Sequence, residues 1–148
     1  MSKKPIIKTE FSRPMMVDRV PRKGSHEHIV ADEKECLALA KRFDLPKLFS
    51  FKARLLAMPW RGGGLHVTGV VEADVERISV VSLEAFRRVE KFKVDSIFLP
   101  PKIIVDAVED DAEPIENGEV DLGEVAAETM GLELDPYPRK DGEVYGEN

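Results

Sequence analysis

FSFKARLLAMPWRGGGLHVTGVVEADV, residues 49–75, decides the fold. Phe49, Phe51, Ala53, Leu55 and Ala57 are apolar at every second position, with Ser50, Lys52 and Arg54 between them. After the loop, Leu65, Val67, Val71, Ala73 and Val75 keep the same period against His66, Thr68, Glu72 and Asp74. A period of two sustained over this length specifies strands with one face buried. Arg61-Gly62-Gly63-Gly64 is long enough for a hairpin loop, so the two strands should pair antiparallel.

Working outward, RISVVSL (77–83) and FRRVEKFKVDSIFL (86–99) read as two further strands, ended by Pro100-Pro101. Upstream, residues 24–31 form a short strand. KTEFSRPMMV (8–17) is another, which Pro14 confines to an edge or a bulge. Residues 32–43 are the clearest helix of the first half. Asp32 caps it, Glu35 completes a capping box, and Cys36, Leu39, Ala40 and Phe43 fall on one stripe before Asp44-Leu45-Pro46 stops it. Strands in runs with two helices, about 32–43 and 121–131, define an α+β fold: an antiparallel meander with room to curl toward a barrel.

The second helix belongs to VDLGEVAAETMGLELDPYPR, residues 120–139. Asp121 is its cap, with Glu124 placed to reach back to the cap amide. Leu122, Val125, Ala126, Thr129 and Met130 form the buried stripe, and Gly131 is expected to end the helix in a left-handed conformation. Leu132 and Leu134 should dock the extended segment that follows. Pro136 and Pro138 then forbid helix and make a hook. The whole, residues 1–148, reads as one domain: strands, helix and meander over 1–105, an acidic flexible loop over 106–118, the helix and hook over 119–139, and a disordered tail over 140–148.

Composition narrows the function. The chain has 43% hydrophobic and 34% charged residues, with no run long and apolar enough to span a bilayer, and MSKKPIIK lacks the apolar core of a signal peptide. A cytoplasmic protein with no membrane partner is expected. The single cysteine, Cys36, permits no internal disulfide and lies on a helix stripe where a small thiol packs. The net charge of −6 is segregated: residues 1–60 hold 13 Lys and Arg against 7 Asp and Glu, whereas residues 106–148 hold 2 against 15. A basic half suits an anionic partner, with RNA the foremost, and an acidic end suits either a solvated surface or a basic protein.

No catalytic constellation emerges, so the protein is read as a non-enzyme. His26 and His28 share a strand face, but neither His66 nor any other residue is spaced to complete a metal site. Gly62–Gly64 lacks the Lys-Ser/Thr that follows in a phosphate-binding loop, so no cofactor is called for. Basic residues beside aromatics carry more information. Arg54, Trp60 and Arg61 flank the glycine loop; Arg87, Lys91 and Lys93 share one face of a strand with Arg88 opposite. These six, Arg54, Trp60, Arg61, Arg87, Lys91 and Lys93, are the candidate RNA contacts, set against the plainer reading of a solvated sheet face with edge lysines.

FSRPMMV (11–17), ADEKECLALAKRF (31–43), SVVSLEAF (79–86) and VDLGEVAAETMGLELDPYPR (120–139) together resemble the YceD-like family, the large ribosomal RNA subunit accumulation proteins, in its alphaproteobacterial-type branch. The resemblance covers nearly the whole chain. It implies a non-enzymatic role in 23S ribosomal RNA synthesis, processing or accumulation and in large-subunit biogenesis, with ribosomal RNA or a pre-large-subunit particle as partner. It also marks Asp121, Leu122, Gly123, Glu124, Glu128, Asp135, Pro136 and Pro138 as structural motif positions. Many relatives carry Cys-x-x-Cys where this chain has Ser79 and Ser82, so no metal or redox role carries over. The alternative is an adaptor that engages a basic ribosomal protein or RNase through the acidic end, with Tyr137 and Arg139 as contacts. The sequence sets no oligomeric state.

Overall fold

The computed structural model describes residues 9–101 and 112–144. Its elements, in order, are β1 (Pro14–Met16), a 3-10 turn (Val17–Arg19), β2 (Ser25–Val30), α1 (Glu33–Arg42), β3 (Lys47–Trp60), a second 3-10 turn (Arg61–Gly63), β4 (Gly64–Ile78), β5 (Ala85–Leu99), β6 (Glu113–Pro114), β7 (Glu119–Asp121) and α2 (Leu122–Glu133). The fold is α+β, as the alternation predicts. Five strands lie in the order β2-β3-β4-β5-β6, antiparallel except for the short parallel β5–β6 pair, and β1 pairs with β7 in a separate two-stranded ribbon. The main sheet does not close into a barrel: among the described residues β2 remains an edge.

The hairpin of residues 49–75 forms in the predicted phase. Phe51, Ala53, Leu55 and Ala57 on β3 and Leu65, Val67, Val71, Ala73 and Val75 on β4 are all buried. Phe49 departs from it. The register slips between Leu48 and Ser50, and this bulge buries Leu48 and leaves Phe49 half-buried under the Arg87 guanidinium, 3.8 Å from its ring centre. Residues 77–83 are not a separate strand. β4 runs on through Ile78, and 79–84 is a tight turn in which the Ser79 hydroxyl accepts the amides of Val81 and Ser82.

Both helices cover one face of the sheet. α1 begins with the expected capping box: the Glu35 amide donates to Asp32 Oδ1 at 2.8 Å and the Asp32 amide to Glu35 Oε1 at 2.9 Å. On α2, Asp121 caps through the amides of Gly123 and Glu124, but Glu124 does not complete a box. Its carboxylate is taken instead by Arg42 of α1, in a two-pronged contact of 2.8 and 2.9 Å. Gly131 does not end α2 either. It is helical, the helix continues to Glu133, and the Phe43 ring occupies the space a side chain there would need. As a result Leu132 is 86% exposed and only Leu134 packs on the core.

The N- and C-terminal motifs interlock. Asp121 Oδ1 accepts from the Arg13 amide and Oδ2 from the Ser12 hydroxyl, while the Leu122 amide donates to the Arg13 carbonyl. One buried cluster therefore joins Phe11 to Met130. Residues 112–118 are not a loose loop: Glu113–Pro114 pairs with Phe98 and Leu99, Ile115 is buried, and Asn117-Gly118 turns the chain back toward β7. The expected tail is anchored over 140–144, where Lys140 meets Glu84 at 2.6 Å and Glu143 accepts from Ser79. Residues 8, 106–111 and 145–148 of the expected strand, loop and tail lie outside the described residues.

Candidate nucleic-acid interface

The helices and the hook occupy the face of the sheet that bears the odd residues of β3 and β4. Arg77 reaches the Asp135 carbonyl at 2.6 Å, the Val80 amide reaches that of Pro138, and Arg88 reaches that of Arg139. Arg88 is thus on the covered side, opposite Arg87, as the alternation requires. The other face carries the polar positions of four strands, and the pairing register lays them out in rows.

One row is His28, Arg54, Val70 and Lys93. The next is Val30, Lys52, Glu72 and Lys91. The first row has no carboxylate. Among the described residues neither the Arg54 nor the Lys93 side chain makes an ion pair or hydrogen bond, and both are exposed. In the second row Glu72 is shared between Lys52 at 3.2 Å and Lys91 at 3.8 Å, which leaves one positive charge over. A shallow cavity of about 270 Å³ lined by His26, Glu27, His28, Arg54, Leu55 and Leu56 opens at the β2 edge of the rows.

Not all six sequence candidates belong to this patch. Arg54, Lys91 and Lys93 do, but Arg87 is engaged: both its prongs hold Asp74 at 2.9 Å and its plane lies on Phe49. That hydrogen bond holds the Asp74 carboxyl below the usual range and raises the Arg87 guanidinium above its own. Trp60 and Arg61 sit at the far, hairpin end. There Arg61 lies 5.0 Å over the indole, and the indole meets His66 edge to face at 5.0 Å. The sequence reading missed Lys52 and the role of His28, because strand phase alone does not reveal which residues of neighbouring strands come level.

Leu122 is 1% exposed, Pro138 is buried, and Asp135 turns the hook by accepting the Tyr137 amide. Pro136, Tyr137 and Arg139 are exposed at its tip. Glu124 and Glu128 stand one turn apart on α2, and Arg42 of α1, which pairs with Glu124, also meets Glu10 at 3.1 Å. Loss of hydration, a hydrogen bond with Glu124 and the charges of Glu113 and Glu124 push the Glu128 carboxyl up to about 7, against the pull of Arg42. Among the described residues no three His, Cys, Asp or Glu side chains are grouped to hold a metal ion. No helix among them is long and apolar enough to cross a membrane. Compared with known proteins, the chain matches no family model, no curated protein and no solved structure.

Proposed function

We propose that this protein is a non-enzymatic, cytoplasmic factor that supports 23S ribosomal RNA synthesis, processing or accumulation, and that it touches RNA with the open face of its sheet. The observation that carries the RNA contact is the row His28–Arg54–Val70–Lys93. In a chain of net charge −6, an exposed row with an imidazole, no carboxylate and two cations unpaired among the described residues offers a polyanion free positive charge. Among the described residues the acidic C-terminal elements, α2 and the hook, lie behind the sheet, on the side away from that row. The resemblance to the YceD-like family supplies the biological setting, and the interlocked FSRP and DLGE segments give its motifs a common structural purpose.

The test is binding to 23S fragments over a salt series, with Arg54→Ala and Lys93→Ala alongside the native chain. Each phosphate contact removed should flatten the dependence of log affinity on log salt by about 1. Absence of binding, or affinity indifferent to salt, rejects direct RNA contact. A second reading, an adaptor for a basic ribosomal protein or RNase, draws on the excess of carboxylates around Arg42: Glu10, Glu124 and Glu128 on the helix side. It requires the partner to be lost when Glu124 and Glu128 become Gln while RNA affinity holds.

A further inference from the structure

We propose that the open face takes single-stranded RNA in preference to a duplex; this rests on the RNA-contact reading above. The two rows alternate charge with bare apolar surface. Val70 stands between Arg54 and Lys93, Val30 ends the Lys52–Glu72–Lys91 row, and Val89 lies two residues from Lys91 along β5. These valines are 43%, 50% and 53% exposed, although valine on a strand is ordinarily turned inward. A duplex offers such side chains little, because its bases are stacked inside and its outer surface is sugar and phosphate. An unpaired strand offers both partners. Its phosphates meet Arg54 and Lys93, two strand spacings or about 10 Å apart, and its splayed bases lie flat on the valines and on the His28 imidazole. At the hairpin end of the same face the half-buried Trp60 indole meets His66 edge to face and lies under Arg61.

The experiment compares a fluorescent 12-nucleotide RNA single strand with the same strand annealed to its complement, by anisotropy at fixed salt. The single strand should bind at least about tenfold tighter, a difference that a few base contacts of the usual size provide. Val70→Ser should weaken the single strand several-fold and leave the salt slope unchanged, since it removes a base contact and no charge. Duplex binding as tight as single-strand binding, still lost in Arg54→Ala/Lys93→Ala, overturns the strand preference and leaves the RNA-contact reading standing. Binding of neither RNA overturns both.

Discussion

Gly123 lies against the main chain of Phe11, so close that a Cβ on Gly123 would overlap the Phe11 carbonyl. This contact is where the segment before β1 crosses the first turn of α2, next to the hydrogen bonds from Arg13 and Ser12 to Asp121. Gly123→Ala should therefore destabilise the fold by about 1–3 kcal/mol, the usual cost of forcing an extra methyl into a packed contact. Urea unfolding measures it. An unchanged midpoint would mean that the Phe11–Arg13 segment yields without loss.

Leu122 and Leu132 make an internal comparison. Leu122 is 1% exposed beneath α2 and Leu132 is 86% exposed at its end. Leu122→Ala should cost about 2–4 kcal/mol through lost burial and a residual cavity. Leu132→Ala should stay within about 0.5 kcal/mol, as surface changes do. Equal effects at the two positions would contradict the way α2 is docked.

These two leucines also mark how far the sequence could be read. Period-two alternation placed β3 and β4 correctly, because one buried face leaves only one phase for a strand. The Asp32–Glu35 box was legible because both partners lie within one turn. What failed depended on distant partners. Glu124 was free to box its own helix until Arg42 arrived from α1, and Gly131 was free to stop the helix until Phe43 explained why it must be small. Phe49 fitted the alternation until a bulge rotated it toward Arg87. The candidate patch was half legible for the same reason: Arg54 and Lys93 could be named, but the register that levels them with His28 and separates them from Arg87 is a tertiary fact.

The hook should behave as a clasp on the β4–β5 turn. Arg77 holds the Asp135 carbonyl, and the Val80 amide donates to the Pro138 carbonyl at 2.9 Å. Arg77→Met keeps the aliphatic stem and removes the donor, so the hook should open locally while the core stays folded. Amide exchange at Val80 should then quicken by at least about tenfold, with the amides of β3 unaffected. Exchange unchanged at Val80 would place the clasp in the Arg88 contacts instead.

Stability should also report on Glu128. Its carboxyl titrates near 7 in the fold against an ordinary 4.5, so between these values the folded chain holds a proton that the unfolded chain has released. Stability from this group accordingly falls as pH rises from about 4.5 to 7 and is level above it. Glu35 works the other way, because Arg13 holds its carboxyl down and its contribution is lost on acidification. The difference between Glu128→Gln and the native chain isolates the first effect. Gln imitates the protonated acid, so the variant should match the native protein near pH 4.5 and exceed it by about 0.5–1 kcal/mol at pH 8, the screened size of an exposed charge interaction. A stability difference identical at both pH values would show that Glu128 carries its charge unopposed, and that Arg42 alone balances Glu10 and Glu124.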